Sequence, residues 1–394
     1  MATKKKSTTS KKSSTSTTNK KLVKSAKKLA KKDPKAFIAI VIVAAIVIGI
    51  GVGGYFIYKK FFEKPVVSEG MDINFLELGN KYTGDCTYIK AGDKDILIDA
   101  GSRQNSATTI ANFLKDNVKD GKLEYVIATH AHQDHIAGFV GSNKDTGIFD
   151  LYKIDTLIDF SKSVNQTKSE DDQTGIYKNY INLRDAKIAS GDIAHHYTAE
   201  DCVKEANGGQ KVYQLSDGIT MKILDQKYYH EIDKNDENNH SVCTLFTQGN
   251  NNYLFTGDLE KEGEKSLVEL NNLPQCELFK GGHHGSYTAN TDNLLSVIRP
   301  KTVCICCCAG SDEYTKTPEN MFPAQAAVDR IAKYTDKVYV TTVVSDDEKG
   351  YKSMNGNINF HCTNGQEYTV TGSNNSTILK DTDWFKANRT WPSY

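Results

Sequence analysis

An α/β fold is predicted by two observations. Apolar strand-like runs alternate with a helical segment between Met71 and Ala128, and a second series of strands returns between Thr220 and Cys308. A third observation adds a membrane element: Ala36 to Tyr58 carries no charge. The predicted architecture is therefore an α/β domain preceded by a single N-terminal transmembrane helix.

Taken in chain order, residues 1–35 are almost wholly Lys, Ser, Thr and Ala, too polar to bury a core, and read as a basic disordered tail. The run AFIAIVIVAAIVIGIGVGGYFIY, residues 36–58, is 23 residues long. At about 1.5 Å per residue it can cross a hydrocarbon layer of about 30 Å. It exceeds the roughly 7 to 15 apolar residues of a signal-peptide core, so an uncleaved anchor is expected. Thirteen lysines precede it and only Lys59, Lys60 and Lys64 follow closely. The positive-inside rule then puts the N-terminus in the cytoplasm and the body outside, in a single-pass cell-membrane protein.

A linker is expected over 59–70, a folded body over 71–372 and a C-terminal tail over 373–394. Within the body, two apolar runs flank Ala91-Gly92-Asp93-Lys94 as a hairpin would. Ser106 to Val118 has helical spacing, and Leu123 to Ala128 is an apolar strand. Residues 160–210 are polar and irregular and read as a surface excursion, with His195 and His196 as surface residues. Later strands are expected at Thr220 to Leu224, Ser241 to Thr247, Tyr253 to Thr256 and Thr302 to Cys308. The cysteines crowded into that last run fit small buried hydrophobes better than a zinc finger, whose spacing is absent.

The formal charge of zero hides two opposed parts. Residues 1–64 hold 16 lysines against Asp33 and Glu63, leaving 33 basic and 47 acidic residues in the rest. An acidic body argues against a broad basic surface for nucleic acid, although bound cations could still draw in a phosphate locally.

The chemistry concentrates at Thr129-His130-Ala131-His132-Gln133-Asp134-His135, directly after the strand EYVIA. Four ligand-type side chains, His130, His132, Asp134 and His135, converge on one turn and supply the nitrogen and oxygen donors that zinc accepts. At such a centre a bound water becomes acidic enough to act as a nucleophile near neutral pH.

This HxHxDH run resembles the signature of the metallo-β-lactamase-fold hydrolases, and the resemblance extends over most of 71–362. Ile98-Asp99-Ala100-Gly101 resembles the family turn whose aspartate supports the metal-binding loop. Thr256-Gly257-Asp258 resembles the strand end whose aspartate bridges two metals. Gly282-His283-His284-Gly285-Ser286 resembles the last metal-histidine loop. With Gly79, Gly84 and Asp85 ahead of a strand, the wording is similar to the hydrolase domain of ComEC-type DNA-uptake proteins, and Tyr314 to Pro318 looks like that subgroup's loop.

The resemblance implies an αββα sandwich and two divalent metal ions, zinc first with manganese as the alternative. It implies that His130 and His132 hold one ion, that Asp134, His135 and His283 hold the other, and that Asp258 bridges them. Asp134 is expected to orient the attacking water; Thr317 stands where the subgroup often has a histidine, so either the leaving-group proton donor is missing or His284 supplies it. His240 could ligate metal or merely begin the strand that follows, and the latter is favoured.

The implied activity is phosphodiester hydrolysis, on DNA or on a cell-surface phosphoester. Opening of a lactam or lactone by the same fold is the alternative enzyme. A non-catalytic, membrane-tethered component of a DNA-uptake or envelope assembly is the alternative outside enzymology.

Overall fold

The computed structural model describes residues 70–363 and 365–394. The expected tail, transmembrane helix and nearly all of the expected linker lie outside these residues. Among the described residues, no helix is long and apolar enough to cross a membrane.

Two eight-stranded sheets form the body. The first is built from β1 (Met71–Phe75), β2 (Thr87–Ala91), β3 (Lys94–Ile98), β4 (Lys122–Ala128), β5 (Lys153–Asp159) and β6 (Ile193–Thr198), with two late strands at its far edge. The second begins with β7 (Val212–Ser216), β8 (Ile219–Ile223), β9 (Thr244–Gln248) and β10 (Asn251–Phe255). It continues through β11 (Leu278–Lys280), β12 (Thr302–Ala309), β13 (Val338–Val344) and β14 (Tyr351–Ser353). The chain then returns to the first sheet as β15 (Ile358–Cys362) and β16 (Tyr368–Gly372), giving the orders β16-β15-β1-β2-β3-β4-β5-β6 and β14-β13-β12-β11-β10-β9-β8-β7.

Each sheet changes from antiparallel to parallel where a helix is inserted. The β2–β3 hairpin pairs Ala91 with Lys94 across Gly92-Asp93, and Gly92 takes the left-handed φ of 61° that such a turn requires. From β3 to β6, and again from β10 to β13, neighbours are parallel. Parallel neighbours need a crossover, and helices α1 (Ser106–Asn117), α2 (Gln133–Val140), α3 (Gly175–Ser190), α4 (Lys261–Leu270) and α5 (Asp292–Ile298) belong to those connections.

Strand β10 shows why two sheets and outer helices form one body. All five of its residues are buried. Tyr253 and Phe255 face the inter-sheet core, where Phe255 stacks on Phe75 at 6.1 Å and Tyr253 meets Phe360 edge-on at 5.3 Å. Leu254, pointing the other way, packs with Leu267, Leu294 and Leu295 of the outer helices. Buried on both faces, the second half of the strand, Tyr253-Leu254-Phe255, is wholly apolar, while Asn251 and Asn252 at its start are buried polar residues.

The polar stretch 160–210 is more regular than its composition indicates. It contains α3, β6 and the helix Ala199–Lys204. Within α3 only Tyr177 and Tyr180 are buried, which is too little for an apolar period to stand out. Its ends do carry signals: the Thr174 side chain accepts from the Tyr177 amide, and Gly191 closes the helix at φ 77°. His196 is held by the fully buried Asp159, whose Oδ1 lies 2.9 Å from its Nε2. The cysteines of β12 are buried as expected. The segment after Gly372 docks on the body, with Phe385 buried against Trp391.

Candidate metal centre

The side chains singled out in the sequence gather at the ends of β4, β10 and β11. After β4 the chain turns through Thr129 to His132 and enters α2, which carries Asp134 and His135 in its first turn. The turn is tied down from Asp99, at the end of β3. Asp99 Oδ1 accepts from the Thr129 amide at 2.7 Å and Oδ2 from the Thr129 hydroxyl at 2.8 Å, while Oδ2 lies 2.7 Å from His135 Nδ1. Gly101 makes room for the helix: a Cβ there would sit 1.5 Å from the Asp134 carbonyl oxygen.

His130 and His132 face each other, with Nε2 and Nδ1 at 3.0 Å. Nδ1 of His130 is flanked by the Thr129 hydroxyl at 3.1 Å and the Ser241 hydroxyl at 3.3 Å, and Ser241 also accepts from the Asp258 amide at 3.0 Å. Burial, then the neighbouring His135 and His132, hold His130 well below the usual histidine pKa, so its ring is neutral and able to bind a cation.

Beside this pair lies a tighter group. One ligand atom each of Asp85, His135, Asp258 and His284 falls within 4.8 Å of the others, and all four residues are buried. Asp258 Oδ2 is 3.1 Å from Nε2 of both His135 and His284. His284 Nδ1 is fixed on the Cys306 carbonyl at 2.8 Å, which aims its Nε2 inward, 3.3 Å from Asp134 Oδ2. Burial opposes charge on Asp258, but His135 and His284 outweigh it and hold the carboxylate well below its usual pKa.

This group fits a divalent cation. Nε2 of His135 and of His284 and Oδ1 of Asp258 are buried without a hydrogen-bond partner among the described residues. Orphaned buried acceptors are costly, and a cation taking nitrogen and oxygen donors relieves that cost. Asp85 differs from the other three because the buried Lys280 ammonium lies directly against it, so its charge is already matched.

The two adjacent histidines are sorted by an unusual backbone. His283 and His284 both adopt left-handed conformations, φ 46° and 53°, worth on the order of 1–3 kcal/mol of strain each. The result turns His284 into the buried group and leaves His283 at the rim, its Nδ1 3.1 Å from Glu260 and its Nε2 3.8 Å from Asp258. His240 lies apart, its ring nitrogens facing the Tyr228 and Asp233 carbonyls.

Four contributors were not singled out as site residues in the sequence: Asp85, Ser241, Lys280 and Tyr314. The Tyr314 hydroxyl donates to Asp134 Oδ2 at 2.7 Å from 180 residues away. Asp85 stood in the turn Gly84-Asp85, Tyr314 opened the loop Tyr314 to Pro318 and Lys280 preceded the histidine loop, but no site role was assigned to any of them, and nothing local marks Ser241.

Parts of this chain are similar to known proteins. The model of the metallo-beta-lactamase superfamily matches residues 79–144, the stretch running from the loop before Asp85 to just past the end of α2. Recombination protein 2 of Haemophilus influenzae is 30% identical over 126 residues, 32% of this chain and 14% of that protein. ComE operon protein 3 of Bacillus subtilis is 28% identical over 101 residues, 25% of this chain and 13% of that protein. The matched segments are thus about a seventh of the length of these curated relatives. A solved metallo-beta-lactamase fold protein of Bacillus subtilis, YhfI, aligns at 12% identity and a TM-score of 0.38, covering 69% of this chain and 96% of that one. The chain carries the metallo-β-lactamase α/β fold with its two sheets and resembles the ComEC-type competence proteins.

Proposed function

We propose that this chain is a membrane-anchored, metal-dependent hydrolase that cleaves phosphodiesters outside the cell. The observation that carries the reading is the cluster of unpartnered buried donor atoms on His135, Asp258 and His284, next to the facing pair His130 and His132.

His130 and His132 would hold one cation, and His135 with His284 a second, with Asp258 shared. His284 thereby takes the place expected of His283, because it is the histidine aimed into the cluster. Such ions supply a hydroxide nucleophile at neutral pH and absorb charge on the phosphoryl oxygens. Asp134, positioned by the Tyr314 hydroxyl, orients the attacking water through its carboxylate. His283, at the rim and steadied by Glu260, is the histidine placed to reach a leaving group.

The anchor proposed over 36–58 would hold the body, from residue 71, at the outer membrane face, where DNA or a surface phosphoester is the substrate. The resemblance to ComEC-type competence proteins supports DNA uptake as the setting. The test is an assay of the full chain on bis-p-nitrophenyl phosphate, single-stranded DNA and a chromogenic lactam, with His132→Ala and Asp134→Ala as controls. Turnover of the lactam alone would replace this reading with the alternative hydrolase. Bound metal without turnover of any substrate would favour the non-catalytic component. Protease treatment of intact cells checks the orientation: digestion of the body only after lysis would overturn it.

A further inference from the structure

Exposed aromatic surface sits beside the metal cluster, and its neighbours limit what it can bind. Among the described residues, Tyr82 is 38% exposed and Tyr314 50% exposed. The Arg103 guanidinium lies over the Tyr82 ring, 4.3 Å from its centroid, and is ion-paired to Glu313. Glu313 also accepts from the Thr83 amide at 3.0 Å, and the next residue, Tyr314, reaches Asp134. A continuous chain of contacts therefore runs from Tyr82 through Arg103, Glu313 and Tyr314 to the cluster. Behind Tyr314 stands Phe322, whose ring is 5.5 Å from that of Tyr314 and 5.8 Å from that of His284.

Arg103 is ion-paired to Glu313, and Lys81 places a second cation 5.8 Å from the centroid of the Tyr82 ring. What this lip offers is flat, rigid ring surface. Only a substrate with a planar face of its own gains from that, and an unpaired nucleobase has one, whereas duplex bases are already stacked on each other. A scheme built on stacking also suits a body with an excess of acidic residues, since it does not depend on a basic groove.

We propose that Tyr82, backed by Arg103, together with Tyr314 forms a stacking platform for an unpaired nucleobase next to the scissile phosphate, making single strands the preferred substrate. The inference rests on the phosphodiester reading and adds the residues that would select the strand.

The test measures equilibrium binding and hydrolysis by the full-length chain on one labelled oligonucleotide in three forms: single-stranded, duplex, and single-stranded with abasic sites. The single strand is expected to bind roughly tenfold tighter than the abasic form. In Tyr82→Ala that ratio is expected to collapse toward one, and in Tyr82→Trp to be retained. A shallow dependence of binding on salt is also expected. Equal binding of base-bearing and abasic strands, with hydrolysis intact, would overturn the platform and leave the phosphodiesterase reading standing. Selective binding of the base-bearing strand without hydrolysis would support the platform and sink that reading. Tyr82-dependent capture of anionic lipid vesicles with no base selectivity would reassign the lip to the membrane and overturn the proposal.

Discussion

Asp99 Oδ2 and His135 Nδ1 are 2.7 Å apart, and the same carboxylate also holds the Thr129 amide and hydroxyl. One side chain at the end of β3 therefore fixes both the turn bearing His130 and His132 and the tautomer of His135. Asp99→Asn places an amide where an acceptor of the ring N–H is needed. Metal affinity is expected to fall by roughly 10- to 100-fold. Competition titration with a chromogenic chelator measures it, and unchanged affinity would remove Asp99 from this role.

Gly101 is a packing requirement of the same turn. An added Cβ would overlap the Asp134 carbonyl, which lies in the backbone and cannot swing aside. Gly101→Ala is expected to cost about 2 kcal/mol or more in stability. Denaturant unfolding of wild type and variant, compared at constant m-value, reads it out.

Tyr314 acts on Asp134 through a single hydrogen bond to a carboxylate. Bonds of that kind are worth about 1.5–3 kcal/mol, so Tyr314→Phe is expected to lower phosphodiester turnover by roughly 10- to 100-fold. The loss should fall on kcat while the melting temperature stays near that of wild type. A drop in melting temperature without a kinetic effect would make the contact structural.

Away from the site, Asp159 is fully buried with Arg184 Nη1 at 2.8 Å and His196 Nε2 at 2.9 Å. Burial alone would raise its pKa, but His196 and Arg184 reverse that and leave it below 3.8. A carboxylate with a depressed folded-state pKa contributes stability that is complete above its unfolded value and is lost as pH falls through the folded one. Arg184→Met strands the charge and is expected to cost on the order of 3 kcal/mol near neutral pH. Because the carboxylate, left with His196 and the Tyr180 hydroxyl, then takes up a proton more readily, the deficit should shrink on acidification. Melting curves at pH 3 and pH 6 test both signs.

How much of this was legible in the sequence depended on how local the signal was. The run His130 to His135 and the turn at Asp258 announced themselves because ligand-type residues followed apolar strands within a few positions. Which of His283 and His284 is buried in the cluster was not legible, since it turns on two left-handed backbone conformations that the letters HH do not encode. Ser241 and Tyr314 reach His130 and Asp134 across long sequence separations, and Lys280, although next to the histidine loop, acts on the distant Asp85; all three types are common on any surface. Helix α3 was missed for a different reason: with only Tyr177 and Tyr180 buried, its apolar period is too weak to see, although its caps were present. Strands were more legible where residues buried on both faces form an apolar run, as Val303 to Ala309 do in β12.

The most direct test of the proposed function is phosphodiester turnover by the purified full chain, measured before metal removal, after it, and after stoichiometric restoration of zinc or manganese. Turnover should vanish with the metal and return with it in the wild type, and should not return in Asp258→Ala. A chain that binds metal stoichiometrically through these residues, yet hydrolyses no phosphodiester at any stage, would contradict the proposal.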